Sequence, residues 1–409
     1  MRIALFTDSF LPYICGATFA ALNQVNALAE RGHQVRIYCP GPTPKQSKSS
    51  ISDELHESVS VKMVPFSLPW GGQPNLNVVF PLLWPTMRDL REFAPDVVHV
   101  HTEWGTGWAG IFAAWRLRIP TVGTFHTFWD DPLYVTHFPW PNWKIVQRAM
   151  GAYSALFYRR CDTVIAPSES VQSHLNQRDV NATVVSNGIP NPNWQSDEAI
   201  MQLKQKYGVK DRLTFLYLGR VSVEKTLHLC LEAFQRVNEA YPESRFVIIG
   251  DGPEMPRIKE TISQLGLEDT VVLTGAVPHE ELMLSNLPRI GDLFITASET
   301  ENQPISILES MAFGLPAVGP RSRGIPELID EGENGYLFDP GDVDDLAGHM
   351  TKIAESPEIL VALSEGALQT GRGHSIARSA ECLEIIYDAR VKTPGRLKAS
   401  QRNPAASEV

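Results

Sequence analysis

Short runs of apolar residues alternate along the chain with longer segments in which apolar residues recur every three or four positions. Arg2–Thr7 and Val35–Cys39 are such runs, and Ala17–Arg31 between them has helical spacing. The chain therefore begins with strand, helix and strand, the order typical of an α/β protein with a parallel sheet. The same pattern predicts further strands at Pro95–His101, Thr121–Thr127, Leu213–Gly219, Phe246–Gly250, Val271–Leu273 and Asp292–Thr296.

A change of composition divides this pattern into two halves. Residues Pro190–Asp197 are rich in Pro, Asn and other polar residues, which is typical of a linker. We therefore place a first domain at 1–190 and a second at 191–374. Helical segments run from Asp342 to about Arg390, so a final helix is expected at 375–395, and the polar residues 396–409 are predicted to be a disordered tail.

Composition and charge exclude several classes of protein. The chain is 43% hydrophobic and 20% charged, which indicates a globular protein, and its net charge of −11 argues against nucleic acid as a partner. No apolar run reaches the length of a membrane span, and five scattered cysteines indicate reduced thiols. We expect a cytoplasmic protein, with possible peripheral contact on the inner face of the membrane.

The charge is distributed unevenly between the two halves. Residues 1–188 contain 15 Lys and Arg against 14 Asp and Glu, whereas the remaining residues contain 21 against 33. An anionic membrane would therefore repel the second half more strongly than the first.

The stretch from Thr296 to Gly319 carries the most informative chemistry. It predicts a strand, a loop, a helix that starts at Pro304, and a second strand after Gly314. Glu301 lies in the loop and Glu309 lies eight positions later in the helix. A helix N-terminus suits a phosphate. The two carboxylates could accept hydrogen bonds from the hydroxyls of a ribose and of a second sugar. The alternative is that both acids are ordinary surface residues.

A cationic pair follows the strand that opens the second half. Arg220 and Lys225 lie just before a predicted helix at Leu227–Asn238, where the helix dipole disfavours cations unless an anion is bound. A planar Arg fork and a Lys point charge suit a leaving diphosphate. Solvated cations at a helix start are the alternative.

These motifs resemble the signature of the retaining GT-B glycosyltransferases of family 4, and the resemblance extends over about residues 1–390. It is carried by Glu301-x7-Glu309 with the following Ser-Met-Ala-Phe-Gly-Leu-Pro, by Phe125-His126-Thr127, and by Gly250-Asp-Gly252-Pro. The resemblance implies two Rossmann-like domains facing across a cleft, with the C-terminal helix crossing back to the first domain. It also implies transfer of a sugar from a nucleotide diphosphate donor with retention. Because Arg220, Lys225 and a helix N-terminus can neutralise the diphosphate, we expect no metal or other cofactor.

The resemblance also assigns roles residue by residue. His126, Glu301, Arg220 and Lys225 are implied as catalytic: His126 beside the anomeric carbon, Glu301 on sugar hydroxyls and the two cations on the diphosphate. The implied donor contacts are these two cations with Gly16, Gly252, Val277, Glu301, Asn302, Gln303, Pro304, Ile305 and the ribose-binding Glu309. At Gly16 the chain has Cys-Gly where the family has two glycines.

The acceptor is predicted from one aromatic stretch. Phe128 to Trp143 includes Trp129, Tyr134, Phe138 and Trp140, and the helix after it, at about Asn142–Cys161, carries Lys144, Arg148, Arg159 and Arg160. Aromatic and basic residues suit a membrane interface, although packing within the domain is an alternative.

The stretch also resembles that of bacterial lipid glycosyltransferases such as diacylglycerol glucosyltransferases. It thereby implies UDP-glucose as donor and a membrane lipid such as diacylglycerol as acceptor. The alternatives are GDP-mannose-dependent transfer to a phosphatidylinositol-type, glycan or soluble acceptor, a nucleotide-sugar epimerase of GT-B fold, and a non-catalytic nucleotide-sugar-binding subunit.

Overall fold

The computed structural model describes residues 1–11, 13, 15–41, 54–64, 67–69, 77–79, 83–131 and 143–392. The chain divides into two compact units. Unit 1 comprises Met1–Ser186 together with the chain from Ser379 onward, and unit 2 comprises Asn187–Arg378. The division between the units falls at Ser186/Asn187, whereas the sequence places the boundary after residue 190. The predicted tail at 396–409 lies outside the described residues.

Unit 1 contains a sheet of seven parallel strands within its described residues, in the order β3-β2-β1-β6-β7-β8-β9. Ile3 pairs with Val35 on one side and with Val97 on the other. The central strands are buried on both faces, which explains their continuous apolar sequence. The strands of unit 1 are Arg2–Phe6 (β1), Gln34–Pro40 (β2), Val59–Val64 (β3), Ser67–Pro69 (β4), Asn77–Val79 (β5), Val97–Val100 (β6), Thr121–Thr124 (β7), Thr163–Ala166 (β8) and Ala182–Val184 (β9), of which β4 and β5 form a separate antiparallel pair.

Helices connect these strands as parallel pairing requires. The described helices of the first part of the chain are Gly16–Glu30 (α1), Leu83–Phe93 (α2), Gly105–Leu117 (α3), Trp143–Tyr158 (α4) and Glu169–Asn176 (α5). The helix predicted at Ala17–Arg31 is therefore confirmed within one residue, and the one predicted at Asn142–Cys161 is shorter at its C-terminal end.

Unit 2 contains a parallel sheet of six strands in the order β12-β11-β10-β13-β14-β15. Phe215 pairs with Phe246 and with Leu293, and the rings of Phe215 and Phe234 lie 5.8 Å apart in the core beside it. The strands are Thr214–Leu218 (β10), Arg245–Ile249 (β11), Val271–Gly275 (β12), Leu293–Ile295 (β13), Ala317–Pro320 (β14) and Gly335–Phe338 (β15).

The helices of the second half complete a Rossmann-like unit. They are Asp197–Lys206 (α6), Leu227–Ala240 (α7), Met255–Gln264 (α8), His279–Ser285 (α9), Ile305–Ala312 (α10), Val343–Glu355 (α11), Pro357–Gly373 (α12) and Ile376–Lys392 (α13), with 3-10 turns at Val223–Lys225, Leu287–Ile290 and Ile325–Glu327. None of the described helices combines the length and the hydrophobicity needed to cross a bilayer.

The C-terminal helix α13 is held in unit 1 by buried and charged contacts. Tyr387 is fully buried and its hydroxyl lies 2.7 Å from His99 Nδ1. Glu384 accepts two hydrogen bonds from the Arg31 guanidinium, at 2.9 and 2.6 Å, and lies 2.7 Å from His33 Nε2. The Arg31 hydrogen bond, with smaller help from His33, lowers the pKa of Glu384 to about 2.

The Glu384 contacts generate a pH-dependent stability prediction. Because the pKa of Glu384 falls on folding from its usual 4.5 to about 2, the carboxylate stabilises unit 1 above pH 4.5 and loses this effect as the pH falls towards 2. We expect Glu384→Gln to lower the free energy of unfolding by about 1 kcal/mol at pH 7, since the pair is two-pronged but partly exposed. Urea titrations of both proteins at pH 7 and pH 3 measure the difference, and an equal difference at both values would contradict the assignment.

Candidate active site

Two loops at the carboxyl edge of the unit 2 sheet pack backbone against backbone. Gly219 and Val221, after β10, each donate a 3.0 Å hydrogen bond to β11 or to the loop that follows it. A Cβ added at Gly250 would lie 1.9 Å from the carbonyl oxygen of Gly219, and one at Gly252 would lie 2.2 Å from that of Val221. Only glycine permits this approach, which fixes the loop that carries Arg220.

The two predicted cations are both paired with carboxylates on this edge. Arg220 Nη2 lies 2.7 Å from Glu224 Oε1, which also accepts a 2.6 Å hydrogen bond from Ser222. Lys225 Nζ donates to Glu301 Oε1. Burial alone would raise the pKa of Glu224, but the Ser222 hydrogen bond and the Arg220 charge outweigh it and lower the pKa. The structure therefore brings Lys225 and Glu301 into direct contact, although they lie on different loops.

The loop from Glu301 to Pro304 is fixed by its backbone and by one side chain. Gly324 N donates to the carbonyl oxygen of Glu301 at 3.1 Å, and Asn187 N donates to Gln303 Oε1 at 2.8 Å. Pro304 has extended backbone angles and precedes the helix, so α10 begins at Ile305 and not at Pro304 as predicted. Asn302, between these residues, is half-buried.

Glu309 lies inside α10 and is buried, with only 4% of the residue exposed. His279 Nε2 lies 2.6 Å from Glu309 Oε1. Glu309 is therefore not a surface residue of the helix, and one carboxylate oxygen is engaged by a histidine at the start of α9. Val277 is half-buried in the loop between β12 and this helix.

The two remaining predicted site residues lie in unit 1. Gly16 is the first residue of α1, and a Cβ there would meet nothing within 4 Å, so its neighbours do not require glycine. His126 follows β7 and is half-buried; its Nε2 lies 3.0 Å from His101 Nδ1. Burial lowers the pKa of His126 to about 4, so the ring is neutral at pH 7.

Unit 1 also buries a carboxyl group that the sequence pattern did not single out. Glu103, in the loop after β6, accepts hydrogen bonds from Ser154 at 3.0 Å and from Tyr158 at 3.4 Å. Burial raises its pKa to about 7, despite these hydrogen bonds. Ser154 and Tyr158 belong to α4, so Glu103 ties this helix to the edge of the sheet that carries His126.

The structure corrects the predicted aromatic interface at one residue, Phe128. Phe128 is buried and packs edge-on against His174 at 4.2 Å, and Trp129 packs edge-on against Trp104 at 5.1 Å. Phe128 therefore belongs to the interior of unit 1, whereas Trp129 is half-buried. Trp143 is half-buried at the start of α4, and Tyr134, Phe138 and Trp140 lie outside the described residues.

Sequence reasoning missed three partners: Glu224, His279 and His101. Glu224 had a local signal, because it stands four positions after Arg220 and next to Lys225. His279 and His101 had none, since each meets its partner across a long stretch of chain. In the described part of the chain, no group of three His, Cys, Asp or Glu residues is arranged to hold a metal ion.

Two family models match the chain in succession. Residues 14–191 match the model described as Glycosyltransferase Family 4, and residues 200–370 match the model described as Glycosyl transferases group 1. Both parts of the sequence are thus recognised independently, on either side of the predicted linker.

Comparison with individual proteins also finds glycosyltransferases. The chain is 28% identical to an alpha-monoglucosyldiacylglycerol synthase of Acholeplasma laidlawii over 95% of this chain and 96% of the relative. It is 26% identical to a GDP-mannose-dependent alpha-mannosyltransferase of Corynebacterium glutamicum over 83% of this chain and 77% of the relative. A crystal structure of Anabaena HepE in complex with UDP-glucose covers 95% of this chain and 100% of its own, with TM-score 0.75 and 20% identity, which supports the fold.

The burial of Glu309 yields a binding prediction. The resemblance implies that Glu309 accepts hydrogen bonds from two ribose hydroxyls. Glu309→Ala would remove that acceptor, so we expect nucleotide binding to weaken by roughly 1.5–3 kcal/mol. Isothermal titration with UDP and with GDP measures the dissociation constants. Glu333→Ala, an exposed acid of the same unit, is the matched control and should leave both unchanged. An unchanged dissociation constant in Glu309→Ala would remove Glu309 from the site.

Proposed function

This chain belongs to the GT-B glycosyltransferases of family 4, and on that premise we propose that it transfers glucose from UDP-glucose to diacylglycerol or a related membrane lipid, with retention at the anomeric carbon. The observation that carries the transfer reaction is the contact of Lys225 with Glu301 beside Arg220, on the sheet edge. This edge of the sheet thus combines cations that can bind a diphosphate with a carboxylate that can accept hydrogen bonds from sugar hydroxyls.

In this proposal the donor lies along the loops of unit 2. Glu309 accepts ribose hydroxyls, while the start of α10 and the two cations face the diphosphate. As the glycosidic bond breaks, negative charge grows on the departing diphosphate, so the cations Arg220 and Lys225 stabilise the transition state more than the bound donor. Glu301 orients the sugar through its hydroxyls, and His126 contributes a neutral ring near the anomeric carbon.

The cations make a metal ion unnecessary in this proposal. Divalent ions serve other nucleotide-sugar enzymes by neutralising the diphosphate, a task that Arg220, Lys225 and the N-terminus of α10 can share. Arg220 is held by Glu224 and Lys225 by Glu301, so carboxylates of the protein itself position both cations.

The lipid acceptor is supported by an exposed surface on unit 1, which we call the aromatic face. On α3, Phe112 and Trp115 project outward, and Trp115 is 74% exposed. Trp108 stacks on Phe112 at 5.1 Å and joins α3 to α4, where Ile145 and Leu156 are also exposed. Exposed apolar side chains concentrated on two adjoining helices are typical of an interaction surface.

The charge of the aromatic face suits an anionic bilayer. Neither α3 nor α4 contains an Asp or Glu, and their exposed cations are Arg116, Lys144 and Arg148. None of these three forms an ion pair within the described residues. Aromatic rings can enter the headgroup region while the cations meet lipid phosphates, which would hold the enzyme peripherally at the inner face of the membrane.

A second candidate differs in donor and acceptor. The mannosyltransferase relative favours mannose transfer from GDP-mannose. In this second candidate the acceptor is a phosphatidylinositol-type lipid or a soluble molecule. Incubation with UDP-glucose, GDP-mannose and both together, followed by mass spectrometry of the products, separates the two. Conversion of a donor without any acceptor would instead favour an epimerase.

The cation mechanism predicts the response to chelation and to mutation. We expect turnover to be unchanged in EDTA. Lys225→Ala and Arg220→Ala should each lower kcat by on the order of 10²-fold, a typical loss for one stabilising group, while the dissociation constant of the donor changes less. Steady-state kinetics and calorimetry supply both values. Restoration of lost activity by Mg²⁺ after EDTA, or loss of donor affinity with kcat retained, would contradict the mechanism.

The aromatic face predicts membrane binding that depends on two residues. We expect vesicles of phosphatidylglycerol to carry the protein upward in flotation at low salt, and less so at high salt. Phe112→Ala with Trp115→Ala should lower the bound fraction by about tenfold or more. Each substitution removes roughly 1.5 kcal/mol or more of the free energy gained when the side chain is buried in the bilayer.

The matched control for flotation is Trp194→Ala, which removes an exposed tryptophan from unit 2 and should leave the bound fraction unchanged. The same vesicles with diacylglycerol and UDP-glucose provide the activity assay, with glucosyl lipid as the expected product. Failure of wild-type protein to float at low salt, together with sugar found only on a soluble acceptor, would overturn the lipid proposal.

A further inference from the structure

Two buried histidines and the half-buried His126 meet where β6 and β7 end. His99 lies in β6, His101 follows it directly, and His126 follows β7. The rings of His99 and His101 are 4.4 Å apart, and those of His101 and His126 are 5.1 Å apart and stacked. His126 is thus the last of a continuous row of imidazoles whose other members have no assigned role.

His99 is satisfied whichever nitrogen carries its proton. Its Nδ1 lies 2.7 Å from the Tyr387 hydroxyl, and its Nε2 lies 2.7 Å from the Thr124 hydroxyl. A hydroxyl can donate or accept, so both tautomers of His99 complete both hydrogen bonds. His99 is therefore a packed histidine that places no restriction on its neighbours.

The bond between His101 and His126 is more restrictive. His101 Nδ1 and His126 Nε2 lie 3.0 Å apart, and a hydrogen bond between two neutral rings needs one proton. Burial lowers the pKa of His101 far below its usual value and that of His126 to about 4, so both rings are neutral at pH 7. Either His101 donates to His126, or His126 donates to His101.

The other nitrogen of His101 decides between these two arrangements. Nε2 of His101 is buried and has no hydrogen-bond partner among the described residues. If His126 were the donor, His101 would carry its proton on this Nε2, as a buried N–H without an acceptor. Buried N–H groups without partners are rarer in proteins than under-satisfied acceptors. The donor in the pair is therefore His101 Nδ1–H.

We infer that His101 is a positioning residue that donates from Nδ1 to His126 Nε2 and thereby keeps the proton of His126 on Nδ1. Any polar atom that reaches Nδ1 of His126 then meets a hydrogen-bond donor and not a base. If the proposed function is correct, on which this step rests, His126 acts as a hydrogen-bond donor through Nδ1 and does not remove a proton through its ring.

The tautomer can be measured without any activity. In protein labelled with ¹⁵N-histidine, long-range ¹H–¹⁵N correlation spectra distinguish Nδ1–H from Nε2–H rings, and His126→Gln and His101→Asn identify the signals among 11 histidines. The expected result at pH 7 is an Nδ1–H form for both His101 and His126. A predominant Nε2–H form of His126, or comparable amounts of both forms, would overturn the inference even if the enzyme proved to use another donor.

Kinetics of two substitutions test the positioning role. Asn can place an amide N–H where His101 Nδ1–H stands, whereas Leu cannot. We expect His101→Leu to lower kcat by on the order of 10–100-fold, the effect of a small misplacement at a reacting centre, with KM for the donor changing less. His101→Asn should recover most of this loss, and His56→Leu, in a loop of unit 1, is the control.

Thermal unfolding accompanies the kinetics, so that a change in stability is recognised as such. Equal losses of kcat in His101→Asn and His101→Leu, with both proteins folded, would assign His101 a purely structural role. Should His101→Leu fail to fold, the spectra of the wild-type and His101→Asn proteins still decide the tautomer.

Discussion

The candidate site of unit 2 depends on the close approach of two backbone segments, the loops that follow β10 and β11. Gly250 and Gly252 stand where any side chain would overlap the carbonyl oxygens of Gly219 and Val221. Because these loops are packed together, the backbone position of Arg220 is fixed. Lys225 lies at the end of the short 3-10 turn that follows. The position of the cationic pair is thus set by contacts between two backbone segments.

Charge is balanced around this scaffold in pairs. Each of the two cations faces a carboxylate, and the buried Glu309 faces His279. Burying an ionic group without a partner is costly. These pairs therefore allow charged side chains to lie at the half-buried edge of the unit 2 sheet. Unit 1 does not use charge pairing at His126. Burial lowers the pKa of His126, so the ring is neutral, and the hydrogen bond with His101 then determines which ring nitrogen carries the proton.

Local sequence predicted the elements well because their signals are local. The helix at Gly16–Glu30 and the strand, helix and strand around Glu309 follow from apolar periodicity and from Pro and Gly positions. Pairing across the chain left no such signal, so the contacts of His279 and His101 were not predicted. Exposure is also a tertiary property: Phe128 and Phe112 both lie among aromatic residues in the sequence, yet Phe128 is buried against His174 and Phe112 is exposed.

Retention of configuration during transfer to a lipid is the central claim, and the anomeric configuration of the product tests it most directly. UDP-glucose carries an α-linked sugar, so the glucosyl lipid formed on diacylglycerol vesicles should be the α-anomer. The coupling constant of the anomeric proton in a ¹H NMR spectrum of the purified lipid distinguishes the two anomers. A small coupling, characteristic of the α-glucoside, is expected; a large coupling from a β-glucoside, or release of free glucose without a lipid product, would contradict retaining transfer.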